Sequence, residues 1–225
     1  MWKQWTALGL GLALSACNLV PAGVGGKESS AKSRTTSVSA PITMSAGGRQ
    51  CLTQLDKTGS RFSALPDKYF GAGCSTVNAV TLAQLRGDTA RFEISNLGPV
   101  TCPTASAFAS WARFGVDRAA RQILGSELVR IETMGSYNCR NVAGSNRRSA
   151  HSRAEAIDVA GFVLADGRRI ILTEDWDNGT PAERKFLRTV HRSACKRFGT
   201  VLGPEYNSAH RDHFHLEKGN SSFCR

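Results

Sequence analysis

Six cysteines spread through the chain after residue 50 (Cys51, Cys74, Cys102, Cys139, Cys195 and Cys224) constrain its fold more than any other feature. Their meaning depends on the compartment, and the N-terminus indicates one. Met1-Trp2-Lys3-Gln4-Trp5 carries one positive charge, Ala7 to Leu14 is apolar, and small residues lead to Cys17. This is the pattern of an export signal. Its apolar run of about eight residues is too short for a bilayer core of ~30 Å, which needs ~20 residues of helix. Exported thiols meet an oxidising space and pair. With Cys17 set aside, an even number remains, which predicts three disulfides. Six cysteines allow fifteen pairings. The shortest loops join Cys51 to Cys74, Cys102 to Cys139 and Cys195 to Cys224, and this is the pairing expected. No two cysteines have the CxxC spacing of a zinc-thiolate site.

Leu14-Ser15-Ala16-Cys17 resembles a bacterial lipobox, in which the cysteine is acylated and becomes the mature N-terminus. Plain secretion is the alternative. Asn18 replaces the Asp associated with inner-membrane retention, so the expected location is the periplasm, anchored by lipid on Cys17 to the outer membrane of a Gram-negative cell. The chain then divides into a lipoprotein signal peptide (1–16), a lipid-anchored tether (17–49) and one domain (50–225). The tether is rich in Gly, Ser, Ala and Thr without hydrophobic periodicity, and some thirty flexible residues span on the order of 30 Å. Roughly 175 residues suffice for one core and no more, and a monomer is expected. The net charge of +11 falls to +10 when Lys3 leaves with the signal. Such a surface favours polyanions. Export removes nucleic acid as a partner and leaves anionic lipid headgroups and the carboxylates of peptidoglycan stem peptides.

Local patterns predict an α+β domain with a small, mostly antiparallel sheet, flanking helices and disulfide stabilisation. Thr101 to Leu124 reads as a helix, with Pro103 near its start and Gly125 after its end. Leu128 to Ile131 reads as a strand, as does Ala156 to Val163, which Asp166-Gly167 turns back onto Arg169 to Leu172. Thr180-Pro181-Ala182-Glu183 combines a cap, a first-turn proline and a capping-box acid. A buried stripe of Phe186, Leu187, Val190, Ala194 and Phe198 follows. A last strand is expected over Asp212 to Leu216. Trp176 reads as a half-buried loop aromatic and His191 as a packed or solvent-facing helix residue, neither functional.

Two stretches carry chemistry. Ser149-Ala150-His151-Ser152-Arg153-Ala154-Glu155-Ala156-Ile157-Asp158 and His210-Arg211-Asp212-His213-Phe214-His215 hold four of the five histidines. A loop entering a strand can bring His151 and Asp158 to one point, and residues 213 and 215 of a strand share a face. His151, Asp158 and His215 are the ligand types that catalytic zinc prefers, three from protein with a fourth position open for water. Asp212 or His213 is the candidate proton carrier; strict alternation turns Asp212 away unless it lies in the turn before the strand. His210 and His213 are candidates to stabilise an oxyanion.

The pattern Ser-x-His-x-x-(Gly or Ala)-x-Ala-x-Asp followed by His-x-His resembles the LAS metallopeptidases, the group of lysostaphin, the D-Ala-D-Ala metallopeptidases and hedgehog. The tail from His210 to His215 is similar to that of zinc D-Ala-D-Ala carboxypeptidases, which implies His215 as ligand and Asp212 as base. It also implies substrate binding by Arg140, whose guanidinium fork suits a carboxylate. More narrowly, Gly135-Ser136-Tyr137-Asn138-Cys139-Arg140-Asn141, Ala156-Ile157-Asp158-Val159-Ala160-Gly161-Phe162 and Leu202-Gly203-Pro204-Glu205-Tyr206-Asn207 resemble the bacterial extensin-like C-terminal domain family over about Cys51 to Cys224. Seven prolines in 225 residues exclude the proline-rich rod of plant extensins. One departure is Ala154, where the metallopeptidases usually carry Gly. The resemblance implies a zinc-dependent peptidoglycan peptidase of carboxypeptidase or endopeptidase type. The alternative is a non-catalytic zinc module that binds the wall and tethers it to the outer membrane.

Overall fold

A computed structural model describes residues 45–225. The signal, most of the tether and Cys17 lie outside the described residues. Helix α1 (Ala46–Lys57) starts with the Ser45 side chain accepting from the Gly48 amide, so residues 46–49 are helical. Short strands follow: β1 (Arg61–Ala64), β2 (Lys68–Gly71), β3 (Cys74–Thr76), β4 (Ala79–Arg86), β5 (Arg91–Ser95) and β6 (Val100–Thr101). The expected second helix is present, as α2 (Cys102–Trp111) continued by π-helical turns at Ala112–Asp117 and Ala120–Leu124. Gly125 ends it in the left-handed conformation, φ 70°, which glycine adopts without strain.

Then come β7 (Leu128–Gly135), β8 (Ala156–Leu164), β9 (Arg169–Ile171), α3 (Leu172–Asn178), α4 (Pro181–Ala194), β10 (Thr200–Leu202), β11 (Phe214–Glu217) and β12 (Phe223–Cys224). The expected capping box opens α4, with Thr180 Oγ1 accepting from the Glu183 amide and the Glu183 carboxylate accepting from the Thr180 amide. The sheet is larger and more mixed than expected. It has ten strands in the order β1-β4-β5-β7-β8-β11-β10-β12, with β6 beside β4 and β9 beside β8. Pairs β5–β7 and β10–β12 are parallel and the others antiparallel. Strands β2 and β3 form a separate hairpin. Among the described residues no helix is long and apolar enough to cross a membrane.

One face of the sheet meets α2 and α4, where Phe108, Trp111, Phe162 and Phe186 are fully buried. Phe162 of β8 contacts both Trp111 and Phe186. The Trp111 indole N–H donates to the Val190 carbonyl at 2.9 Å, which ties the two helices together. Each such aromatic removes some 150–250 Å² from water, so this face holds most of the core. Trp176 is buried within α3 rather than half-exposed in a loop, with the Arg188 guanidinium 3.5 Å from its ring centre.

Two of the three expected disulfide pairings are corrected. Cys51 bonds Cys102, Cys74 bonds Cys139, and only Cys195–Cys224 follows the shortest-loop rule. The rule fails because closure entropy grows only with the logarithm of loop length, about 0.6 kcal/mol per doubling. Spans of 51 and 65 residues are therefore little worse than the shorter alternatives. Tertiary packing decides instead, with α1 on α2 and β3 beside the loop after β7.

Candidate metal centre

A bulge in β8 aims the site. Glu132 of β7 pairs with Gly161 while Thr133 pairs with Val159, so Ala160 has no partner. The extra residue reverses the alternation, which puts Ile157, Val159, Phe162 and Leu164 all in the core and turns Asp158 to the opposite face. Antiparallel pairing then sets His215 of β11 directly across from Asp158, with Phe214 and Leu216 facing the core. The third group arrives from a 3-10 turn, Ala150–Arg153, whose exit is Ala154 at φ 56°, ψ 29°. A glycine would take this conformation without strain. A left-handed residue with a Cβ costs roughly 1–2 kcal/mol, and here the strained turn is what places His151 over β8.

The three groups converge. His215 Nδ1–H donates to Asp158 Oδ1 at 3.0 Å, and the same nitrogen is 3.1 Å from His151 Nε2. His151 Nε2 is in turn 3.2 Å from Asp158 Oδ2. His151 Nδ1–H donates to the Ser136 carbonyl at 2.9 Å, which leaves the Nε2 lone pair facing the other two donors. His151 and His215 are 3 % and 8 % exposed. Tetrahedral zinc with bonds of about 2.0–2.1 Å holds its donor atoms about 3.3–3.4 Å apart. The observed spacings are within a few tenths of an ångström of that, so the donor set fits a metal of this kind with little movement.

Electrostatics agree. Burial opposes charge on His215, but hydrogen bonds to Asp158 and Glu217 outweigh it and raise its pKa to about 9. Burial likewise opposes ionisation of Asp158, and the close contacts with His151 and His215 overcome it, holding its carboxyl well below the usual range. The His215 ring lies 3.5 Å from the Glu217 carboxylate on its far side, and that contact lowers the Glu217 pKa. A proton on His215 thus sits where a cation would be shared among the three donors.

The strand expected to be last, over Asp212 to Leu216, is β11, which begins at Phe214 and is followed by β12. Asp212 therefore lies in the preceding turn, its side chain half exposed, and receives a hydrogen bond from His213 Nδ1 at 2.7 Å. His213 Nε2 points inward, 3.6 Å from Asp158 Oδ1. Among the two proton-carrier candidates, His213 is the one that reaches the triad, and Asp212 orients it. Burial, then the neighbouring His213 and His215, press the His210 pKa down to about 4. Its Nδ1–H is engaged by Asn207 Oδ1 at 2.6 Å. A neutral ring so tied offers an acceptor, which suits a substrate N–H and not an oxyanion.

A cleft of about 340 Å³ opens over these groups, lined by Arg140, Arg147, Arg148, Arg153, Tyr206, His210, His213, His215 and Glu217 among others. Arg140, the candidate for substrate binding, lines the cleft. Arg147, Arg148, Arg153 and Glu217 were not singled out from sequence. Glu217 was accessible to that reasoning, because it lies two residues after His215 and so shares its strand face. A second set of donors, His191, Cys195 and Cys224, is also close together. The Cys195–Cys224 disulfide consumes two of them, and His191 packs on Trp176 and Phe214, as a structural histidine should.

The extensin-like protein C-terminus family matches residues 49–225. The chain belongs to that family. No curated protein and no solved structure gives a significant match to it. Within this extensin-like domain the match takes in both chemical stretches, all three disulfides and every residue of the cleft.

Proposed function

We propose that the extensin-like domain is a zinc-dependent peptidase that hydrolyses an amide of a peptidoglycan stem peptide or crossbridge, held at the outer membrane by lipid on Cys17. The observation that carries this reading is the convergence of His151, Asp158 and His215 donors to 3.0–3.2 Å beside an open cleft that His215 lines. A structural zinc is closed by four protein ligands, whereas a catalytic one keeps a position for water. The bound metal supplies a water acidified towards pKa ~7 and a polarised carbonyl. Around it, the His213 imidazole takes and returns the proton while Asp212 fixes its tautomer, His210 accepts a substrate N–H, and Arg140 receives a carboxylate.

Metal analysis of the purified chain and mass spectrometry of digested muropeptides test this together. Wild type is expected to carry one zinc and release cleaved peptide. His215→Ala should lose both, and His213→Ala should keep the metal while losing at least ~10²-fold in rate. Stoichiometric zinc in His151→Ala or His215→Ala would overturn the ligand set. Zinc in wild type with no cleavage of any wall preparation would leave a wall-binding module in place of an enzyme.

A further inference from the structure

The cleft carries more positive charge than one substrate carboxylate can answer. Four of its lining residues are arginines, Arg140, Arg147, Arg148 and Arg153, and its only lining carboxylate is Glu217. Arg153 is committed to Glu155, at 2.7 Å. Among the described residues no acidic side chain is within ion-pair distance of Arg140, Arg147 or Arg148. Glu155 thus answers Arg153, and Glu217 is engaged by His215, so Arg140, Arg147 and Arg148 are left without a carboxylate partner.

These cations stand on a built scaffold. Residues 140–149 form a small hairpin in which Asn141 bridges Arg148, the Val142 amide donates to the Arg147 carbonyl and the Ser149 amide to the Arg140 carbonyl. The Cys74–Cys139 disulfide anchors one end to the β2–β3 hairpin, and the Arg148 Nε–H donates to the Ala72 carbonyl at 2.5 Å. Arg140 and Arg147 are exposed and free to receive a ligand, and a guanidinium fork matches a carboxylate bidentately.

We infer that the cleft selects a peptide bearing two carboxylates near the scissile bond, with Arg147 as the specificity-determining partner of the second one. This rests on the peptidase reading of the same site. Stem peptides offer such pairs wherever their acidic side groups are not amidated.

Binding of fluorescently labelled muropeptides to the full chain, measured by anisotropy in EDTA and again with zinc, tests it without requiring turnover. The free dicarboxylate peptide is expected to bind about 100-fold tighter than its doubly amidated counterpart at low salt, with the ratio shrinking at 0.5 M NaCl. Arg147→Gln, which breaks no hydrogen bond of the Arg147 side chain present in the structure, should cut that ratio about tenfold and leave zinc stoichiometry unchanged. Equal affinity for free and amidated peptides, or a ratio unaltered by Arg147→Gln, overturns the inference. So does tighter binding of a polyphosphate probe than of the dicarboxylate peptide. Discrimination by charge without hydrolysis would sink the peptidase and keep the inference; hydrolysis of both peptides with equal kcat/KM would do the reverse.

Discussion

The metal-free domain should lose stability as pH rises while its zinc-loaded form should not, and the size of the difference follows from His215. Folded, this imidazole holds its proton up to about pH 9, whereas an unfolded histidine releases it near 6.5. Between those values the native state binds one more proton than the unfolded state, so stability falls as pH rises. The contribution is fully present below pH 6.5 and lost through 9, at up to about 1.4 kcal/mol per unit, or ~3 kcal/mol over the window. Asp158 acts on the other side. Its lowered pKa contributes stability above pH ~4 that disappears only in acid. With zinc bound, His215 Nδ1 is already deprotonated, so the alkaline loss vanishes, and metal at a thousand times its Kd adds about 4 kcal/mol. Urea denaturation followed by circular dichroism at pH 6.5, 7.5 and 8.5, in EDTA and in excess zinc, reads the effect directly. The EDTA midpoint should fall across the series while the zinc midpoint holds, so that the gap widens. Parallel curves, or an EDTA midpoint that rises with pH, would refute the account of three donors sharing one proton in place of a cation.

Other parts of the framework are open to simpler tests. Replacing Cys74 and Cys139 together by Ser opens a 65-residue loop and should cost about 4 kcal/mol of stability by the closure-entropy estimate, seen as a lower melting temperature and faster proteolysis within 136–149. Gly161→Ala would place a methyl 2.7 Å from the Ile170 carbonyl oxygen. It should destabilise by about 1–3 kcal/mol, and because Gly161 adjoins the bulge that aims Asp158, zinc affinity should fall with it; a melt and a metal titration report the two effects separately.

Elements with chemical punctuation were legible in the sequence. The α4 capping box and the α2 segment bounded by Pro103 and Gly125 stand where local rules place them, because the box satisfies backbone groups within a few residues and Pro103 and Gly125 adopt the backbone angles of a helix start and a helix end. Strands β1 to β6 were not read. β1 and β2 are almost wholly exposed, with no alternation of burial to detect, and they exist through pairing with distant partners. Strand β8 was read, but its faces could not be. Two-residue alternation assigns Asp158 and Phe162 to one side, and only the unpaired Ala160, a property of the β7–β8 register, sends one to the cleft and the other to the core.

The same division runs through the site. Ligand types and their order along the chain are chemical facts, so His151, Asp158 and His215 could be named before their distances were known. The choice between Asp212 and His213 did not follow from the strand boundary: β11 starts two residues later than expected and leaves Asp212 in the turn, yet its carboxylate is taken by His213 Nδ1 while His213 Nε2 faces Asp158. Arg147 and Arg148 lay in a stretch without periodicity, where a charge is ordinarily a solvated one. What changes their meaning is the Cys74–Cys139 bond, since it holds residues 140–149 against the cleft. A pairing that sequence proximity could not supply is therefore also what turns Arg147 and Arg148 from surface cations into a wall of the site.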